Sequence, residues 1–213
     1  MVKRPEGVKC VLELPDVEVS RLGGDVAVDF FNTVAWRRDP ARRSERLTSY
    51  GHVISWMAAS GLMGEREAAS FAALAHGNRR DAEAEYDLLI ELREDTYDAL
   101  NTGRPPVVLQ RRLVQAHSRS DLVRGPDDRW RWDQTAPGLS TPGDRLAVEM
   151  KRLLTSDAVA WFHRCEDQHC GWVFLDTSRH HNRRWCSAAD CGNRNRARTH
   201  YNRLKTSSGT EPS

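Results

Sequence analysis

Four cysteines near the C-terminal end constrain this chain more than any other feature. Cys165, Cys170, Cys186 and Cys191 read C-x4-C, then fifteen residues, then C-x4-C. Two close thiol pairs separated by one short loop form the layout of a tetrahedral, all-thiolate zinc site. Such a site holds four soft ligands about 2.3 Å from the ion and leaves no position open. Each pair makes a tight knuckle, and the loop is long enough for a hairpin that brings the knuckles together. One structural Zn²⁺ is therefore the expected cofactor. Three other readings compete with it. Two disulfides would need an oxidising compartment, to which nothing in the sequence points. A catalytic zinc with three protein ligands and a water would draw on His169, His180 or His181, and normally includes a carboxylate or histidine and an open position. Four unliganded buried thiols would not require so regular a spacing.

The residues around and after the last cysteine are basic. From Thr177 to Lys205 the cations are Arg179, Arg183, Arg184, Arg194, Arg196, Arg198, Arg203 and Lys205, and the only acid is Asp190. Eight minus one gives +7 in a chain whose total is +2. Between Cys191 and Lys205 there is no Pro, and the single Gly is Gly192. The segment therefore predicts a helix opened by a turn at Gly192-Asn193. At about 100° per residue Ala197, Tyr201 and Leu204 share one face, and Asn195, Thr199 and Asn202 lie opposite. Arg196 and Arg203 flank that polar face on one side, Arg198 and Lys205 on the other. Asn and Arg can read base edges bidentately, while flanking arginines reach phosphates. The candidate groove contacts are Arg194, Asn195, Arg198, Thr199 and Asn202. The candidate phosphate contacts are Arg183, Arg184, Arg196, Arg203 and Lys205. A solvated basic face is the plain alternative. A zinc knuckle directly before the helix favours presentation to a nucleic acid, with double-stranded DNA ahead of RNA.

The run RRWCSAADCGNRNRARTHYNR resembles the CGNR-type zinc finger of bacteria, whose tetrad stands here as Cys191-Gly192-Asn193-Arg194. CEDQHCGWVFLDTSRHHNRRWC is similar to the first half of that finger, down to Phe174-Leu175-Asp176-Thr177-Ser178. In that family the finger closes a protein whose larger N-terminal part is the ABATE domain, described as a stress-induced transcription regulator. DVAVDFFNT, with Asp29, Asn32 and Thr33, resembles that domain's LDFxNT element, with Val28 in place of the usual Leu. The resemblance covers almost the whole chain. It implies a transcription regulator with an N-terminal part that senses a ligand or a stress state.

The rest of the chain predicts a mainly α fold. A helical N-terminal domain with a small β-hairpin spans 1–160, a zinc-binding hairpin-plus-helix module 161–206, and a disordered tail 207–213. Residues 1–160 hold 23 basic and 25 acidic side chains, net −2, and 161–213 hold 9 and 5, net +4, so phosphate affinity belongs to the C-terminal module. Gly23-Gly24 precedes DVAVDFFNTVAW, which favours a helix although alternation at Val26, Val28 and Phe30 also fits a strand. On a helix Asp29 and Asn32 share a face. Among apolar neighbours they are either partners in a buried hydrogen-bond network or contacts for a small-molecule effector. Trp36 to Arg46 reads as a charged, solvated loop. Helices are predicted after Ser49 up to Gly61, over 64–75, over 81–101 with a stripe of Tyr86, Leu89, Ile90, Arg93 and Tyr97 widened by Leu88, Leu92 and Leu100 and ended by Asn101-Thr102-Gly103, after Pro105-Pro106 through His117, and over 144–156. Leu122-Val123 and Trp130-Arg131-Trp132 read as a hairpin whose tryptophans share a face, expected to pack on the helices, with an aromatic binding surface as the alternative, and 135–143 as a linker. AVAWFHRC is expected to enter the zinc module as a strand pairing with Trp172 to Leu175.

Nothing resembles a signal peptide or a membrane span, so the expected compartment is the cytoplasm, at the nucleoid. Cys10 is expected to be a packed core or edge residue. No phosphate loop, nucleophile elbow or H-E-x-x-H motif is present, so an enzyme is the least favoured class. A protein-interaction or RNA-binding module is the alternative to DNA binding, and the N-terminal domain is also a candidate for homodimerisation.

Overall fold

The computed structural model describes residues 14–134 and 136–208. Cys10 and residues 209–213 lie outside them. Among the described residues seven helices carry the fold: α1 Val26–Phe31, α2 Tyr50–Ser60, α3 Glu65–Gly77, α4 Arg79–Thr102, α5 Val107–Ser118, α6 Thr141–Leu154 and α7 Asn193–Ser208. Three antiparallel pairs accompany them: β1 Val34–Ala35 with β2 Ser44–Glu45, β3 Ser120–Arg124 with β4 Trp130–Gln134, and β5 Phe162–Arg164 with β6 Val173–Leu175.

Local chemistry sets the helix ends. The Asp25 carboxylate accepts from the Ala27 amide at 2.9 Å and opens α1, and Ser49 accepts from the His52 amide to open α2. Gly61 and Gly103 close α2 and α4 in the left-handed conformation that only glycine adopts without strain. α4 is the central post, packing against α1, α2, α3, α5 and α6. One continuous core holds Phe30, Phe31, Trp56, Leu89, Leu92, Leu146 and Met150, and each fully buried side chain of this size contributes roughly 1.5–3 kcal/mol.

That core does not stop at the helical part. Val173 and Leu175 of β6 belong to it, and β6 packs directly on α1. Asn32 closes the joint: its amide Nδ2 donates to the Val173 carbonyl at 2.8 Å, and its Oδ1 accepts from the Val173 amide at 3.0 Å. The Trp172 indole donates to the Val34 carbonyl, the Tyr97 hydroxyl to the Gly171 carbonyl, and the Leu175 amide to the Gly23 carbonyl, each at 2.8 Å.

Several sequence expectations are corrected. The segment Trp36 to Arg46 is not a solvated loop throughout. Arg37 is 6 % exposed, paired with Glu94 at 2.6 Å and stacked over Tyr97. Pro142 and Gly143 are not linker but the first turn of α6, where Pro needs no amide partner. Gly143 is required there, because a side chain would run into the Arg112 guanidinium. Trp130 and Trp132 are not buried on the helices; they are 64 % and 57 % exposed, and Trp132 meets His117 of α5 edge to face. Leu88 faces solvent rather than widening the α4 stripe. Ala158 to Trp161 form a 3-10 turn, so the strand begins only at Phe162. Ser207 and Ser208, read as tail, continue α7.

Candidate metal centre and nucleic-acid interface

The C-terminal module is built around the four thiols. Cys165 follows β5 and Cys170 precedes β6, so the β5–β6 turn supplies the first knuckle, held by hydrogen bonds from the Cys165 amide to Trp172 O at 2.8 Å and from the Cys170 amide to Asp167 O at 3.1 Å. Cys186 precedes, and Cys191 lies within, a single π turn, Ala188–Gly192, that runs into α7. Ser187 caps that turn by accepting from the Asp190 amide at 3.1 Å. All four sulfurs are buried and lie within 4.8 Å of one another. Two separations, Cys170 to Cys186 at 3.6 Å and Cys186 to Cys191 at 3.5 Å, are far beyond a covalent S–S bond, and all four cysteines are free. Tetrahedral sulfurs about 2.3 Å from a common ion stand about 3.8 Å apart. The donor set therefore fits one Zn²⁺ with four thiolate ligands.

The histidines stay out of this set. The His181 ring stacks on Trp161 at 3.6 Å and bonds the Asp176 carbonyl, and His169 faces Asp39 and Gln168. Four thiolates around one Zn²⁺ carry a net double negative charge, so neighbouring cations matter. Arg194 is such a neighbour. It donates to the Cys191 sulfur at 2.8 Å and to the fully buried Asp167 at 3.1 Å, and lies over the Trp36 ring at 4.4 Å. Asp167 in turn accepts from the His169 amide at 3.0 Å inside the first knuckle. Asn193 donates to the Ala189 carbonyl at 2.6 Å and receives Arg196. Gly171, at φ 74°, lets the knuckle meet the body: a side chain there would overlap the Cβ of Arg37. Asp176 organises the loop between the thiol pairs by accepting from the Ser178 and Arg183 amides at 2.9 and 2.8 Å. Burial works against its charge, but the hydrogen bonds from Ser178 and Arg183 outweigh it and hold its pKa down to about 2.

A family model named ABATE, described as "Putative stress-induced transcription regulator", matches residues 24–161, and a CGNR zinc finger model matches residues 162–204. The chain belongs to the ABATE family. No curated protein matches it at a significant level. The Cys165–Cys191 set is thus the metal site of the CGNR finger that follows the ABATE domain, and the tetrad has a physical reading. Cys191 belongs to the four-thiol set, Gly192 is buried against Trp185, Asn193 holds the π turn and Arg194 donates to the Cys191 sulfur.

The ten basic and polar residues singled out for nucleic-acid contact are distributed unequally. Arg183 is turned into the finger, bonding the carbonyls of Leu22, Trp185 and Cys186 and lying over Phe174 at 4.1 Å. Arg194 is bound as described. Arg184 is exposed and pairs with Glu166 at 2.5 Å. Along α7, Asn195 and Arg198 are half-buried, and Arg196, Thr199, Asn202, Arg203 and Lys205 are exposed. The opposite face is exposed too: Tyr201 and Leu204 are 57 % and 55 % accessible. Among the described residues, α7 packs chiefly on the π turn that opens it.

Asn32 and Asp29, the two residues proposed for an effector, differ. Asn32 is 1 % exposed with both amide atoms bonded to Val173. Asp29 accepts from the Gly23 amide at 2.7 Å and lines a shallow hollow with Val19, Arg21 and Ser60. Burial raises its pKa from 3.8 to about 6, against the opposing Gly23 hydrogen bond.

Two buried polar clusters went unread in the sequence. Arg93 bonds Thr33 at 2.7 Å and pairs with Glu45 and Glu94. Arg112 pairs with Glu85 at 2.5 Å and Asp144 at 2.6 Å, with Arg119 and Gln134 also on Asp144. Arg93 sits within the apolar stripe of α4, and that misplaced charge was the signal that could have found it. Beside Asp144, a cleft of about 320 Å³ opens between α5, α6 and β4, with Trp132, His117 and Gln134 on its walls.

Proposed function

We propose that this protein is a zinc-dependent, DNA-binding transcription regulator whose ABATE domain senses an effector. One observation carries the reading. The thiol cluster fixes the first turn of a basic helix along which Arg196, Thr199, Asn202, Arg203 and Lys205 are exposed. Such a helix suits a major groove, with Asn and Arg side chains toward base edges and the flanking cations toward phosphates. Arg183 and Arg194 then act as supports of the finger rather than as readers, since their guanidinium groups already hold carbonyls and sulfur. Asn195 and Arg198 lie half-buried on the same helix.

The cleft beside Asp144 supports the sensing half of the reading. Its size is at the lower end of small-molecule pockets, and it combines an indole, an imidazole and buried polar groups. Asp29 is the other candidate contact, at its own shallow hollow.

The test is a titration of the full chain against a labelled random-sequence duplex at about 50 and about 200 mM salt. Affinity should fall steeply with salt, as phosphate contacts release counterions. The Cys186→Ser variant should lose its zinc and its DNA affinity together, because metal binding and folding of the finger are linked. Absence of duplex binding at low salt refutes the DNA reading. Tighter binding to structured RNA than to duplex DNA would assign the helix to RNA.

A further inference from the structure

The segment 36–43 between β1 and β2 carries four arginines, and three of them are exposed. Arg37 is buried against Glu94 and Tyr97, whereas Arg38, Arg42 and Arg43 are exposed. Their one acidic neighbour within the segment is Asp39, which pairs with Arg42 at 2.6 Å. Arg43 is 3.9 Å from Glu94, and Arg38 has no acid at ion-pair distance among the described residues.

The backbone of this segment is bolted to the zinc finger. The Arg37 amide donates to the Cys170 carbonyl at 2.9 Å and the Arg38 amide to the His169 carbonyl at 3.3 Å. The knuckle thus gripped is the one whose Asp167 holds Arg194 on the first turn of α7. Trp36 completes the contact. Arg42 lies over its ring at 3.9 Å and Arg194 at 4.4 Å, so a body cation and a finger cation stack on one indole. Trp36 has φ 53°, a conformation that a bulky residue adopts only when its surroundings impose it. Arg164, on β5, is also exposed, and its field reaches the Tyr97 hydroxyl together with those of Arg37 and Arg38.

We propose that this arginine segment is a second arm of the DNA interface. Arg38, Arg42 and Arg43 contact the sugar–phosphate backbone beside the groove entered by α7. The inference rests on the DNA reading above. It reverses the expectation that phosphate affinity is confined to the finger, because the segment belongs to the ABATE domain in sequence but to the finger in space. Attached at both Trp36 and the knuckle, the arm presents its charges at a fixed offset from α7, so their contacts with the duplex require no ordering of a loose loop.

The experiment compares three forms of the full chain on the same random duplex between about 50 and about 200 mM salt: the natural sequence, R38A/R42A/R43A, and the charge-matched control R66A/R79A/R80A. Arg79 precedes Glu94 by fifteen residues of α4, about 22 Å along the helix. The arm variant is expected to bind more weakly and to lower the salt slope by about 0.9 for each phosphate it no longer neutralises, up to about 2.7 for three. The control should retain the natural slope. An arm variant with the natural slope, or an equal loss in arm and control variants, overturns the arm and leaves the α7 reading standing. A natural chain that binds no duplex overturns both. Zinc content and circular dichroism report folding. Should removal of Arg42 disturb Trp36, R38E/R43E leaves that stack intact, and an unchanged slope in that variant overturns the arm.

Discussion

Replacing Asn32 by Ala should weaken the entire molecule rather than one part of it. Asn32 and Val173 are both buried, at 1 % and 0 % exposure, and two hydrogen bonds of 2.8 and 3.0 Å join them. Truncation leaves the Val173 amide and carbonyl without partners in a dry joint, and each orphaned group costs about 1–3 kcal/mol. A total near 3–4 kcal/mol is expected. With an m-value of about 3 kcal/mol per M urea, the unfolding midpoint falls by about 1 M. Asn32→Asp is the sharper variant, since it keeps the shape and the acceptor for the Val173 amide but turns a carboxylate oxygen toward the Val173 carbonyl. It should lose at least as much at neutral pH. Tryptophan fluorescence follows the body, and zinc release to a colorimetric chelator follows the finger. Because Val173 and Leu175 sit in the body's own core, both transitions should move together. A midpoint shift below about 0.3 M, or zinc release that moves while the fluorescence transition stays, would refute the claim that one core spans both parts.

Two further outcomes follow from the buried charges. Gly143→Ala places a methyl group against the Arg112 guanidinium and the Glu85 carboxylate, so it should cost about 2–4 kcal/mol and lower Tm by roughly 5–15 °C in a thermal melt; an unchanged Tm would show that the network yields without cost. Asp29 has its folded pKa raised by burial from 3.8 to about 6, so its protonated form is favoured in the fold and its contribution to stability, full below 3.8, is lost as pH rises through about 6. The natural chain should therefore gain stability relative to Asp29→Asn between pH 7 and pH 4, measured as the difference of their urea midpoints, and a difference independent of pH would contradict the burial argument.

Local rules wrote much of this protein into its sequence. The C-x4-C pairs announced the zinc set because four thiols at that spacing have few other uses, and α7 follows from Gly192 and the Pro-free run behind it, whereas the π turn before it appeared only in the fold. The caps at Ser49, Gly61 and Gly103 marked helix ends through chemistry that each residue carries by itself. What sequence could not decide was which surfaces meet. The pattern of Asp29 and Asn32 gave a shared helix face, but only the fold brought Asn32 to Val173, 141 residues away. Periodicity put Ala197, Tyr201 and Leu204 on one side of α7, but only the fold decided that this side is exposed. Trp130 and Trp132 misled: expected on the helices, they are exposed. The Trp36 segment erred in the opposite direction, since a run of arginines reads as solvated until a carboxylate from α4, Glu94, is placed beside Arg37. Hydrophobicity and charge are properties of a residue, whereas burial and pairing are properties of the distance between segments, and that distance is set only when the chain closes on itself.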